Sequence, residues 1–578
     1  MLSRPVARHL ALLVIYLAAG IAATWPNASY LTGHQLPAVR DISGYVWYLW
    51  WTAHQIVHLG NPWFTGHMAA PVGIQLGFTT TMPLAGLIMT PVTLIFGPAA
   101  SYSLLTIVLP GLLCYVMYRA ARLWLAEPGA IAAGALFGLS SMVAWQDWFH
   151  LNIALGTLFL PMTLEAAVRL RRTPGLRQGV ILGVVLGASV LVNQESAVMA
   201  VLLAAAVLLP WLVRHPRAAR LRALGAGAAV AVVIASPQLI AMIGQATSGG
   251  ASISAAKLAT NYGAYGAGLP GLFAPSPQVS HFGLHGLASV YSYRVPDEAV
   301  ATFGLVLSVL AACGLAASWR RRSAWGLALL WLVGTALALG STLVIGSRVF
   351  VPLATTWNGT RVSLLMPYTW LVHLPGLSAL READRLALLG LVGAAILAGS
   401  AVDWLWRHAR PLVAVVAAAA LLEAGWTGTP LRGLMPTALP AVDRPIAADH
   451  SGSIVLDVPF GLRGGVPLYG SATARPALLL ATADGHPRAI SYTSWVPRAT
   501  IAWFKRRPFY VWLVAAQDGS QVPAARLAAA RRDVRGIDIG WVLVWNGTPQ
   551  RVIQYLTATG FVFGYRADQV SVYRPGWK

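Results

Sequence analysis

Long apolar runs dominate the first three quarters of the chain. Blocks near 8–25, 100–121, 130–147, 152–168, 178–194, 196–213, 224–243, 299–318, 324–342, 385–406 and 411–425 are almost free of charge. At about twenty residues each, they are close to the length that crosses a ~30 Å hydrocarbon core. Eleven spans are predicted. Arginines gather in alternate short connections: Arg119/Arg122, Arg169 to Arg177, Arg214 to Arg222, Arg320 to Arg322 and Arg407/Arg410. With Arg4 and Arg8, these put 17 arginines on one side of the membrane, against seven cations in the other loops of the membrane part. Cationic loops face the cytoplasm, so the N-terminus is expected inside and everything after 426 outside. The first block lacks a small-residue cleavage pattern and is expected to be a retained helix. Residues 82–97, MPLAGLIMTPVTLIFG, are apolar but short and carry Pro83 and Pro91. They are expected to be a re-entrant or tilted half-span.

The pattern changes after 426. Short β-rich runs, SIVLDVPF (453–460), IGWVLVW (539–545), GFVFGY (560–565) and VSVY (570–573), alternate with Gly, Pro, Asp and Asn. The predicted fold is therefore a polytopic α-helical membrane protein of about 11 transmembrane helices. The membrane domain covers 1–426 with outer loops 26–99, 244–298 and 343–384, and an extracytoplasmic soluble α+β domain covers 427–578.

Composition agrees and narrows the function classes. Of 578 residues, 57% are hydrophobic and only 10% charged, with mean hydropathy +0.63; a soluble globular protein carries about 25% charged residues. The net charge of +22 would suit nucleic acid, but many of the arginines lie where membrane topology needs them, and nucleic acid is not an expected partner. Cys114 and Cys313 both lie inside apolar blocks, where they behave as small hydrophobes and supply neither a disulfide framework nor a metal site.

Chemistry is expected on the outer side. Asp41, Asp147, Glu195, Asp297, Glu298, Glu382, Asp384 and Glu423 map to outer loops or outer span ends, and ionisable groups at membrane depth are expensive and commonly functional. Asp41 stands in AVRDISGYVWYLWW, early in the first outer loop. It suits a general base toward an acceptor hydroxyl, or else a helix N-cap. The Tyr45, Trp47, Tyr48, Trp50 and Trp51 that follow are expected to form an aromatic belt. WQDWFHLN brings Asp147, His150 and Asn152 between tryptophans, a setting for a sugar ring or simply an interfacial turn. In VNQESAV, Glu195 needs a partner, which is either Gln194 or Asn193 or a ligand. His281 and His285, in HFGLH, lack the glutamate of a zinc motif, and no metal is assigned. Arg381 and Arg385, in LPGLSALREADRLALLG, suit a lipid phosphate held by guanidinium forks, or pairing with Glu382 or Asp384. The C-terminal domain carries no paired-carboxylate signature and is expected to be a lid or docking module.

Together these pieces resemble the GT-C superfamily of integral-membrane glycosyltransferases, and more closely its bacterial GT-C-like members. The likeness rests on Asp41 before YVWYLWW, on NPWFTGHMAAPVGIQL (61–76), on TMPLAGLIMTPVTLIFGP (81–98) and on LPGLSALREADRLALL (374–389). It implies an inverting transfer of a sugar from a polyprenyl-phosphate donor to a cell-envelope glycan or lipid acceptor on the outer face. Asp41 would match the loop carboxylate that binds or deprotonates the acceptor. Arg385, with Arg381, would match the cations that hold the lipid phosphate. His150, Asn152, Glu195 and Glu298 are the further substrate-binding candidates. Many members carry a paired acid in that loop, whereas this chain reads Arg40, Asp41, Ile42, Ser43, which argues against a metal-dependent variant. No cofactor is expected beyond the lipid-linked sugar itself, and the other partners are membrane lipids. The alternatives are a catalytically inactive membrane scaffold and a lipid or glycan transporter, although no internal repeat of the kind transporters show is visible.

Overall fold

A computed structural model describes residues 4–577 except 26, 33–34, 39–40, 80, 215–217, 248–264, 275–300, 347, 358, 375–376, 378–379, 425–433, 465 and 472–476. Helices occupy all eleven apolar blocks. Among the described residues, six are long and apolar enough to cross a membrane: Val6–Ala23, Pro98–Ala121, Leu151–Arg172, Gln194–Arg214, Ala218–Thr247 and Ala383–His408. A seventh arises if Glu127–Gly138 and Ser141–Phe149, bent by 42° at their junction, form one span. Leu176–Val190, Leu305–Ser318, Arg322–Ala338 and Arg410–Ala424 are helical but only 14 to 17 residues long, short of a full crossing at 1.5 Å per residue. The block at 82–97 forms the 14-residue helix Pro83–Phe96, also below crossing length. Apolar side chains such as Val14, Val233 and Ile240 stand exposed on the long helices, as lipid-facing residues do. The protein is a multi-pass membrane protein.

The chain divides into two compact units. The first comprises 1–33, 103–235 and 254–433. Its centre is the helix Ala387–His408, whose span is almost wholly buried. It packs against Glu127–Gly138, Leu305–Ser318 and Arg322–Ala338. Small residues permit this closeness: a Cβ added at Gly314 would lie 1.7 Å from the Leu397 carbonyl oxygen, and one at Gly399 2.4 Å from that of Gly129. Such glycine seams hold apolar helices together where no hydrophobic driving force separates lipid from protein.

Several acids of this unit are accounted for by structure alone. Asp403 accepts the backbone N–H groups of Ala126 and Gly129, both at 2.7 Å, and so closes the start of Glu127–Gly138. Glu165 pairs with Arg119 at 2.8 Å and Arg169 at 2.9 Å, and Glu127 pairs with Arg8. Glu423, placed among the outward acids by the sequence, accepts from the Leu305 and Val306 amides and closes the start of Leu305–Ser318.

The second unit comprises 34–102, 236–253 and 434–578, so the C-terminal domain forms a contact unit with much of the first loop. Its four-stranded sheet runs in the order Phe561–Ala567, Val570–Pro575, Ile539–Val544, Ile454–Val458, with only the last pair parallel. The four strands correspond to the four β-rich runs of the sequence. Val455, Leu480, Leu543 and Val572 form the core of this layer. A second sheet orders Val466–Gly470, Gly461–Gly464 and Ser491–Thr493. The first loop enters this unit directly: Gln35–Pro37 pairs antiparallel with Leu434–Pro436, and helix Ile42–Val57 packs against Ala477–Asp484 and Pro83–Phe96.

Candidate functional site

Asp41 occupies the N-cap position of helix Ile42–Val57, yet its side chain makes no capping hydrogen bond. Its backbone carbonyl opens the helix by accepting from Gly44 and Tyr45, which leaves the carboxylate for other work. That carboxylate is half-buried and accepts the Tyr492 hydroxyl at 2.6 Å. Tyr492 is delivered by strand Ser491–Thr493, which runs parallel to Gly461–Gly464 and sets Arg463 beside it in register. The Arg463 guanidinium lies 4.9 Å from the Tyr492 ring centroid, a cation–π distance. Beneath them the buried Tyr48 hydroxyl is pushed up, by burial first and by the Asp41 charge second.

The expected aromatic belt is corrected. Tyr45, Trp47, Tyr48 and Trp51 are buried, with Trp50 half-buried, because Ala477–Asp484 and Pro83–Phe96 cover the helix that carries them. Trp47 stacks on Trp51 at 5.3 Å and Trp50 on His54 at 5.2 Å. They are the inner packing of the Asp41 helix.

The loop after that helix is pinned by backbone. Ala69 and Ala70 donate to the Ile490 and Arg488 carbonyls at 2.8 and 3.0 Å, and the Arg488 amide donates to His67 at 3.1 Å. Behind this edge the fully buried Arg488 guanidinium faces Asp484, Asp457 at 3.4 Å and Asp443 at 3.7 Å. Three carboxylates on one cation leave an excess of negative charge, and burial, opposed by Arg488 and aided by Asp484, pushes the Asp443 carboxyl up to about 8. The folded state therefore keeps a proton that the unfolded state releases, and this contribution to stability is lost as pH rises toward 8. His67, driven down to about 4 by burial and then by His54, acts in the opposite sense, adding stability as pH rises from about 4 to 6.5. The two offset each other below 6.5, and above it Asp443 acts alone. Stability of this unit is expected to fall by on the order of 1–2 kcal/mol between pH 6.5 and 8, read by thermal unfolding, and Asp443→Asn should flatten that slope.

In the first unit a second polar group assembles around Arg385. Its Nη1 lies 2.7 Å from Glu195 Oε2 and also bonds Glu382. The partner of Glu195 is thus an arginine 190 residues away. Asn193, the other candidate, caps helix Gln194–Arg214 by accepting the Ser196 amide at 2.7 Å. His150 sits in the turn between helices Ser141–Phe149 and Leu151–Thr157, outside both, and its pKa is lowered by burial first and by the Arg385 charge second. Asn152, two residues further on in helix Leu151–Thr157, is buried, and Arg381 is half-buried. Asp147 is fully buried, and among the described residues neither of its oxygens has a hydrogen-bond partner. An unpaired buried carboxyl is costly, which sets Asp147 apart from the acids already accounted for in this unit. Asp384 is buried, its amide donating to the Tyr265 carbonyl at 3.0 Å. Glu298, Asp297, His281 and His285 lie outside the described residues. Among the described residues no group of three His, Cys, Asp or Glu side chains is arranged to hold a metal ion.

Tyr492 and Arg463 were not singled out in the sequence. No local signal marks either, since their importance comes from a strand register that brings them to a residue 451 positions away. Asp147 does carry a signal: it is the one acid in a tryptophan-bracketed turn.

No protein-family model matches the chain, and no curated protein matches it in sequence. Solved structures do match. Arabinofuranosyltransferase AftD from Mycobacteria superposes with a TM-score of 0.60 at 15% identity, over 100% of this chain and 40% of that one. The chain thus spans about two fifths of the length of that protein. The oligosaccharyltransferase of Archaeoglobus fulgidus matches at TM-score 0.47 and 12% identity, over 98% of this chain and 74% of that one. ArnT from Cupriavidus metallidurans, bound to undecaprenyl phosphate, matches at TM-score 0.39 and 11% identity, over 98% and 97%. The agreement with AftD along the whole chain shows that this multi-pass protein shares its fold, the GT-C fold.

Proposed function

We propose that the protein transfers a sugar from a polyprenyl-phosphate donor to a cell-envelope glycan or lipid acceptor at the outer membrane face, with the N-terminus in the cytoplasm and Asp41 as general base. The observation that carries this reading is the state of Asp41: a half-buried carboxylate at a helix start, released from capping and oriented by the Tyr492 hydroxyl. Asp41 takes the proton of the acceptor hydroxyl as that oxygen attacks the anomeric carbon. The bond from that carbon to the phosphate oxygen breaks, its electron pair leaves with polyprenyl phosphate, and the anomeric centre inverts. Arg381 and Arg385 are assigned the lipid phosphate. Because Arg385 already holds Glu195 and Glu382, phosphate would replace a carboxylate there, one anion exchanged for another. His150 and Asn152, beside the unpaired Asp147, are assigned to polar groups of the substrate.

The test is release of free polyprenyl phosphate from a panel of polyprenyl-phosphate sugars by purified protein in lipid, with cell-envelope extract as acceptor. One donor should turn over, and none doing so overturns the reading. Tyr492→Phe removes only the hydroxyl that orients Asp41 and is expected to lower kcat roughly ten- to a hundredfold, the worth of one hydrogen bond to a charged group, with donor KM unchanged.

A further inference from the structure

Between helices Arg322–Ala338 and Ala387–His408 the chain builds two β-hairpins, Leu343–Ile345 with Arg348–Phe350 and Ala354–Trp357 with Thr360–Ser363, followed by the short helix Pro367–Leu371. The element is anchored to its unit by Leu269 donating to the Val344 carbonyl and Ser363 to that of Ser341, each at 2.9 Å. Its outward surface is unlike that of a water-facing loop. Phe350, Leu353, Leu364, Leu365, Trp370 and Leu374 are all exposed, Leu353 at 66% and Trp370 at 59%. Over residues 434–578, a stretch more than four times as long, Val562 and Phe563 alone are exposed large hydrophobics among the described residues. The C-terminal stretch buries such side chains, whereas the long apolar helices expose theirs as this element does, so their density here has a cause.

Three features name what covers them. First, the element joins two apolar helices with no intervening domain, and its start lies at the end of Arg322–Ala338 opposite the cationic Arg320 to Arg322. Second, residues 343–374 contain no acid, while Arg348 and Arg361 are both exposed, the charge pattern that suits phosphate-bearing headgroups. Third, several of its polar groups are satisfied internally, which eases entry into an apolar surrounding. The hairpin backbones pair with each other, the Trp370 indole N–H donates to the Leu364 carbonyl at 2.8 Å, and the Ser363 hydroxyl donates to that of Pro352. A tryptophan ring with its one donor already used is prepared for an apolar surrounding.

We propose that residues 343–374 form a lipid-surface element that inserts Phe350, Leu353, Leu365 and Trp370 into the bilayer leaflet beside the flanking helices, with Arg348 and Arg361 on the headgroup phosphates. The depth corresponds to that of interfacial amphipathic segments, about 5–10 Å below the headgroups. This inference is independent of the proposed chemistry: the element holds lipid whether or not the protein transfers sugar.

Single cysteines at Phe350 and Leu365, introduced into a Cys313→Ser background, test it by carrying an environment-sensitive fluorophore in full-length protein in nanodiscs. Both positions are exposed, so the substitutions leave the core intact, and Cys114 is buried. Nitroxide lipids labelled shallow in the acyl chain should quench both sites, as expected for groups at that depth, while aqueous iodide has little effect. A cysteine at Val562, in the C-terminal sheet, should show the reverse. Iodide quenching at Phe350 and Leu365 equal to that at Val562 overturns the proposal, and so does protection from both quenchers, which would mean that protein covers the face.

Discussion

Replacing Asp41 by asparagine is expected to lower turnover of the lipid-linked donor by about 10²- to 10⁴-fold, the usual worth of a positioned general base. The amide keeps the shape of the side chain and an oxygen that can accept the Tyr492 hydroxyl, so helix Ile42–Val57 and the fold around it remain in place. What is lost is the ability to take a proton. The backbone carbonyl of residue 41, and not its side chain, opens that helix, which separates this variant from an ordinary capping mutation. The measurement is single-donor turnover beside thermal unfolding. A scaffold would be indifferent to the change, so turnover within about tenfold of wild type, with Tm unchanged, would remove Asp41 from the chemistry.

A second large effect is expected at Arg385, this time on stability. Removing it as Arg385→Ala leaves Glu195 and Glu382 facing each other in a largely buried site, where both had been held by one guanidinium. Breaking a buried ion pair from one side costs about 3–5 kcal/mol, and since Glu195 retains some exposure the expected loss is near the lower end, about 3 kcal/mol. The triple change Arg385→Ala, Glu195→Gln, Glu382→Gln should restore most of that stability without restoring turnover. Thermal unfolding in detergent reads the first outcome and donor turnover the second. If the triple variant unfolded as early as the single one, packing of the arginine stem rather than charge would be its role.

The parts of this molecule that were legible in the sequence are those governed by local periodicity. The apolar blocks became helices, and the four β-rich runs after 426 became the four strands of one sheet, because alternation and turn residues act over a few positions. Crossing count was less legible: helix Leu305–Ser318 begins after the apolar pattern does, and helix Leu176–Val190 ends before it does, so both are shorter than their apolar blocks. The Tyr45 to Trp51 stretch was misjudged for a related reason. Aromatic residues beside a membrane look the same in sequence whether lipid headgroups or a folded domain cover them, and only the docking of Ala477–Asp484 decides. The site itself was half legible. Asp41 and Arg385 stand out as charges at outward positions, but their partners, Tyr492 and Glu195, are fixed by tertiary register. Glu423 had the same outward signature as Asp41 and proved to be a helix closure, so charge and position alone do not separate chemistry from architecture.

The glycine seams of the membrane part bear on the inheritance of this protein. At Gly129, Gly314 and Gly399 the space for a methyl group is already filled by a neighbouring backbone oxygen. Alanine is a single base change from every glycine codon, and it is the replacement that most resembles harmless drift. Loss-of-function alleles should therefore accumulate along these helix contacts, distant from any reacting atom, and a survey of random variants would meet the chemistry of the protein less often than its seams.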